Sequence, residues 1–249
     1  MRAINFRRVE DLQAPDGQPV PGFLFEPRDA VAGVVIVHGH GGSKESILGL
    51  AAHLAGRRLA ALAIDLRGHG EHTGLLDQGV LGDVDAAASF VRRYGPVAVV
   101  GKSLGGCLAL MSMADAVVAV SPAIPKGVSP EGRTMFVQFP SPGVREPYPG
   151  YVVDLLKQLG PPPVRDRPTL LVSAAYDVQT IREGTREFAA QLPRGEYREV
   201  DMDLYSPVNL DHPLINYLPY WLNHSLLHLH AQVLRIVPEW LYETLGGAG

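Results

Sequence analysis

The sequence predicts an α/β fold in which a parallel sheet carries helices on both faces. Three observations predict it. Short apolar runs, unbroken by polar residues, recur along the chain; runs of that length read as strands buried on both faces. Stretches with helical spacing lie between them, and such alternation is the pattern of a parallel sheet. One strand–helix junction carries Gly101-Lys102-Ser103-Leu104-Gly105, a sequence suited to a sharp turn that exposes a serine hydroxyl.

The elements follow in order. Residues 4–12 and 20–25 alternate polar and apolar side chains around Asp16-Gly17, which predicts two edge strands of an antiparallel hairpin. Residues 32–37 are an apolar, β-branched strand, 45–57 a helix and 59–64 a second buried strand. A helix over 82–94 ends at Gly95-Pro96, a stop signal. Residues 97–100 form the strand before Ser103, and a helix rich in good formers follows from Gly106. Strands are expected at 116–120, 169–173 and 196–200, a helix at 181–192, and helical structure from Pro213 onward.

Residues 122–167 break the rhythm with many prolines, including Pro161-Pro162-Pro163. A short helix is expected at 150–159. The segment is too long for a plain connector, and it follows a strand whose end should border a site. A cap or lid is therefore preferred over a rigid surface excursion.

Composition bounds the function classes. Among 249 residues, 46% are hydrophobic and 19% charged, enough apolar material for one sizeable core spanning 1–249. The formal net charge is −4 with no basic run, so no nucleic-acid partner is expected. The single cysteine, Cys107, excludes an intrachain disulfide and reads as a small buried residue. The first residues have no signal-peptide pattern, and no apolar run reaches the roughly 18 residues of a membrane span. The expectation is a soluble, cytoplasmic protein without membrane insertion. Trp221, Leu222, Leu226, Leu227, Trp240 and Leu241 in the last helices read as core, with a homodimer face as the alternative.

Ligands of a parallel sheet bind beyond the C-terminal strand ends, so the chemistry is sought there. A serine hydroxyl needs a base, and the base needs an orienting acid. Asp177, just after the 169–173 strand, is the preferred acid, with Asp201 and Asp203 as rivals. His212, in Asn209-Leu210-Asp211-His212-Pro213 after the last strand, is the preferred base. His224, His228 and His230 read as helix packing residues; His224 is the runner-up base should it approach Ser103. His224 and His228 have metal-ligand spacing but no neighbouring glutamate of the zinc-peptidase kind, so no metal is expected, and no cofactor. An oxyanion hole needs N–H donors. His38-Gly39-His40-Gly41-Gly42 and the helix start after Ser103 nominate the N–H groups of His40 and Leu104.

Together these motifs, with Asp65-Leu66-Arg67-Gly68-His69-Gly70, resemble the α/β-hydrolase family, in that family's order and over nearly the whole chain. The resemblance implies a mostly parallel eight-stranded sheet, Ser103 as nucleophile, His212 as general base and Asp177 as its partner. It also implies that residues 122–167 occupy the cap position and that Arg67 and His69 brace the floor of the site. Small esterases and dienelactone-hydrolase-like members are the nearest in character, although the latter usually carry a cysteine nucleophile. Lys102 reads as solvent-pointing, with electrostatic tuning as the alternative. The function expected is a serine hydrolase acting on a small-molecule ester or related acyl bond. Acyl transfer, cofactor-free perhydrolysis, or binding without catalysis on the same fold are the alternatives.

Overall fold

The computed structural model describes residues 3–124, 128–202 and 213–246. In chain order the elements are β1 (Ile4–Val9), β2 (Gly22–Pro27), β3 (Ala32–Val37), α1 (Leu48–Gly56), β4 (Leu59–Ile64), α2 (Val80–Val91), β5 (Val97–Lys102) and α3 (Leu104–Met111). They continue with β6 (Ala116–Val120), α4 (Pro130–Gln138), α5 (Tyr151–Leu159), β7 (Thr169–Ala174), α6 (Gln179–Ala189), β8 (Gly195–Val200), α7 (Pro213–Leu226) and α8 (Ala231–Leu241). One eight-stranded sheet runs β1-β2-β4-β3-β5-β6-β7-β8. The β1–β2 and β2–β4 pairs are antiparallel and the rest parallel.

Every residue of β3, β4, β6 and β7 is buried, so these strands turn neither face to solvent. Alternate side chains enter opposite layers. Val35, Val37 and Val99 meet α2, α3 and α5 through Val84, Leu108 and Leu155. Val34, Ile36 and Val100 meet α1 and α8 through Leu54 and Val237. Leu227, Trp240 and Leu241 join this second layer, in keeping with the core reading of those three.

Two expectations need amendment. Of the two hairpin strands only β1 lies at an edge of the sheet; β2 pairs with β4 through a register such as Phe25↔Ala61. Residues 122–167 hold a helix the periodicity did not reveal, α4, besides the expected α5. It starts where the Ser129 hydroxyl accepts the Gly132 N–H at 3.1 Å and Pro130 occupies the first turn, both ordinary helix-start devices. The buried face of α5 is Val152, Val153, Leu155 and Leu156. Among the described residues no helix is long and apolar enough to cross a membrane.

Candidate active site

The C-terminal ends of β3, β5, β6 and β7 are neighbours in the sheet, and each delivers part of one site. At the end of β5, Ser103 adopts φ 54° and ψ −115°, a conformation L-residues avoid. The surrounding close approach demands glycine: a Cβ on Gly101 would lie 1.9 Å from the Gly105 carbonyl oxygen, and one on Gly105 would lie 2.4 Å from that of Val37. The Ser103 N–H donates to the Val120 carbonyl at 3.0 Å, which ties the bend to β6.

After β7 the chain turns, the Asp177 N–H donating to the Ala174 carbonyl. The carboxylate of Asp177 is almost completely buried and accepts three hydrogen bonds. The Val178 N–H and His224 Nδ1 reach Oδ1 at 2.7 and 2.9 Å, and the Ser121 hydroxyl donates to Oδ2. Buried carboxylates require such donors.

The imidazole facing Ser103 belongs to His224 on α7. Its Nε2 lies 3.0 Å from Ser103 Oγ. A carboxylate can only accept, so Nδ1 carries the proton toward Asp177 and Nε2 is left with the lone pair that faces the hydroxyl. His212, the expected base, lies outside the described residues. The assignment of His224 to helix packing is thus corrected: its side chain is buried, but against Ser103 and Asp177. A readable signal existed. Tyr217, Trp221, His224 and His228 form one helical stripe, and the first three line the cavity beside Ser103. Ser121 also escaped the sequence reading, although it directly follows a buried strand end.

The loop after β3 runs against Ser103. A Cβ on Gly39 would lie 3.2 Å from Ser103 Cβ. His38 holds this loop to the next, Nδ1 donating to the Gly39 carbonyl at 2.8 Å and Nε2 accepting the Leu66 N–H at 3.2 Å. Burial pushes its pKa down to about 4, so it is a neutral brace. The side chain of His40 is 5% exposed, yet the residue as a whole is not buried. Most of its exposed surface is therefore main chain. Leu104 opens α3, so its N–H has no acceptor within the helix.

Farther below, Arg67 pairs with Asp83, Asp16 and Asp77, and His69 Nδ1 contacts the Arg67 carbonyl at 3.1 Å. Lys44 joins Asp65 and Glu71. These groups brace the loop after β4. Lys102 is half-buried, not solvent-pointing. Its aliphatic stem packs under Gly39, and burial lowers its pKa to about 8 against the attraction of Asp177. Burial drives the Cys107 thiol up to about 12, as suits an inert core residue. Among the described residues no three side chains converge to hold a metal ion.

A narrow cavity of about 90 Å³ opens beside Ser103 and His224. Its walls are apolar: Ile124, Phe136, Val153, Leu156, Tyr217 and Trp221. An aromatic ladder crosses it, with Phe136 edge-on to His40 at 5.2 Å and to Trp221 at 5.0 Å. The arrangement can take a proton from Ser103, stabilise the resulting imidazolium and receive an apolar group.

Comparison with known proteins agrees with this fold. The model of the alpha/beta hydrolase family matches residues 34–242. Two curated relatives, each named uncharacterized protein YfhR, come from Salmonella typhi and Salmonella typhimurium. Each is 34% identical over 93 residues, 35% of this chain and 32% of the relative; the match therefore spans about a third of their length. Among solved structures, the Pyrococcus furiosus esterase Pf2001 superposes with a TM-score of 0.68 at 17% identity, covering 97% of this chain and 92% of that one. Est1E of Butyrivibrio proteoclasticus, solved with ferulic acid, gives 0.66 at 19% identity, covering 93% and 97%. Dienelactone hydrolase from Anabaena variabilis gives 0.60 at 18%, covering 96% and 99%. At these identities the structural likeness speaks for the fold, and the family match across most of the sequence decides membership: the chain belongs to the alpha/beta hydrolase family.

Proposed function

We propose that the protein is a serine hydrolase that cleaves carboxylic esters or related acyl bonds through an acyl-enzyme. The observation that carries this reading is the unbroken relay from Ser103 Oγ to His224 Nε2 at 3.0 Å and from His224 Nδ1 to Asp177 Oδ1 at 2.9 Å. His224 takes the hydroxyl proton as Ser103 Oγ attacks the acyl carbon. The developing oxyanion is met by the N–H groups of His40 and Leu104. Collapse expels the alcohol, which receives the proton from His224. Water then attacks the acyl-enzyme with His224 again as base, and breaking the acyl–Oγ bond releases the acid and restores Ser103. Asp177 keeps the imidazole in the required tautomer and stabilises its protonated form.

The cavity's apolar walls favour a short or flat acyl group, and residues 122–167 act as the cap that supplies Ile124, Phe136, Val153 and Leu156 to those walls. Short aliphatic and aryl p-nitrophenyl esters are the first substrates to try. Labelling with a fluorophosphonate should modify Ser103 and be lost in Ser103→Ala, with turnover reduced about 10⁴-fold or more. Undiminished turnover by folded Ser103→Ala would refute the proposal.

A further inference from the structure

We infer that Glu146 is a positioning residue for the oxyanion loop, its carboxylate holding His40 and, through it, the main-chain N–H at that position. The inference rests on the roles proposed above for Ser103 and His40. In Gly39-His40-Gly41-Gly42 the glycines allow close approach to Ser103 but leave the backbone little means of fixing itself. His40 offers the one side chain by which these four residues can be gripped. Its Nε2 lies 3.3 Å from Glu146 Oε2, with the two side chains 5% and 7% exposed. Because the carboxylate accepts, Nε2 carries the proton. Its Nδ1 has no hydrogen-bond partner among the described residues, so Glu146 is the imidazole's polar tether.

Glu146 is itself well anchored. Its Oε1 accepts the Gly150 N–H at 3.0 Å. The neighbouring Arg145 is strapped to the loop after β4: its N–H donates to the Gly68 carbonyl at 2.7 Å, and its carbonyl accepts the Leu76 N–H at 2.9 Å. The Arg145 guanidinium donates to the carbonyls of His69, Gly70 and His72. Ser141 sits over the same loop, its Oγ 2.6 Å from where a Gly41 Cβ would project. The His40 ring is further confined edge-on by His69 at 5.5 Å and Phe136 at 5.2 Å. A rigid connection thus runs from the β4–α2 loop through Arg145 and Glu146 to His40.

Burial works to raise the Glu146 pKa, but hydrogen bonds from His40 and from the Gly150 and Val152 N–H groups hold it below the usual carboxylate range. A nearly dry ionised group is a poor source of net stability. Its placement is explained by geometry delivered to the loop.

The test compares Glu146→Ala and Glu146→Gln with wild type on a p-nitrophenyl ester, together with inhibition by a trifluoromethyl ketone, which forms a tetrahedral adduct. Glu146→Ala should lower kcat about 10- to 100-fold, less than the 10²–10³ lost with an oxyanion donor itself, with KM within about three-fold. Ketone affinity should fall in parallel with kcat/KM. Glu146→Gln, which keeps an acceptor for His40, should recover most of the loss. Wild-type kcat in folded Glu146→Ala, or a loss appearing in KM alone, overturns the inference. An activity-independent measurement accompanies these: carbon-13 carboxyl titration of Glu146 should move upward in His40→Ala. An unmoved titration also overturns it, even if Glu146→Ala fails to fold. Absent esterase activity with unlabelled Ser103 in wild type would instead count against the proposed function, and the Glu146 titration would still decide whether the tether exists.

Discussion

Ser121 donates its hydroxyl to Oδ2 of Asp177 while His224 holds Oδ1 of the same carboxylate. The two contacts fix the carboxylate plane from opposite sides. Ser121 has a positive φ of 45° and its N–H donates to the Val172 carbonyl at 2.7 Å, so the end of β6 is bent to deliver this hydroxyl. A hydrogen bond to a buried charge contributes about 1.5–3 kcal/mol. Ser121→Ala should therefore lower kcat/KM by about 10- to 150-fold and shift the urea midpoint downward. Wild-type kinetics in that variant would show that Asp177 is held adequately without it.

The relay through α7 makes a separate prediction. Replacing His224 with glutamine should remove the base and reduce kcat by about 10⁴-fold, abolishing fluorophosphonate labelling on the same time scale. His212→Gln should retain labelling, because the lone pair facing Ser103 comes from His224. Strong labelling in His224→Gln and none in His212→Gln would reverse the assignment.

That contrast marks how far the sequence could be read. The parallel strands were legible because runs such as Val34–Val37 are buried on both faces and need no tertiary information to stand out. Ser103 was legible because a bend this tight admits little but glycine on either side of it. Asp177 was placed by its position after a strand end. His224 was not legible by that rule: it sits in the last turn of a helix and not after a strand end, and the approach of α7 to the ends of β5 and β7 makes it part of a site. The half-buried state of Lys102 likewise depends on how closely Gly39 crosses it. The position of β2 within the sheet depends on its long-range pairing with β4.

Two buried imidazoles, His38 and His69, and a partly buried one, His228, make stability sensitive to acid. Burial lowers the pKa of His38 to about 4, of His69 to about 3 and of His228 to about 4, with neighbouring positive charge acting in the same sense. In the unfolded chain each takes a proton below about 6.5. Between about pH 6.5 and 4 the unfolded state thus binds more protons, and stability rises with pH through that window. The contribution is complete above about pH 6.5 and is lost progressively as the pH falls toward 4. Urea unfolding at pH 7, 6 and 5 should show a steepening decline, approaching about three protons taken up on unfolding near pH 5. A flat profile from pH 7 to 5 would be incompatible with these imidazoles being held neutral in the fold.

Acyl selectivity should respond to Phe136, whose ring bridges His40 of the loop after β3 and Trp221 of α7. The ring is only partly buried, so Phe136→Ala should cost less than the roughly 3–5 kcal/mol of a fully buried phenylalanine. Its removal opens one wall of the 90 Å³ cavity without touching Ser103, His224 or Asp177. The binding energy of a short acyl group should weaken, while a longer chain gains the space the ring vacates. About 0.8 kcal/mol accompanies each buried methylene. Two extra methylenes buried by the variant alone would then shift the ratio of kcat/KM for hexanoate over butyrate by about ten-fold. The comparison uses p-nitrophenyl butyrate and hexanoate on both proteins. An unchanged ratio, with both substrates slowed equally, would mean that Phe136 positions the oxyanion loop and does not bound the acyl site.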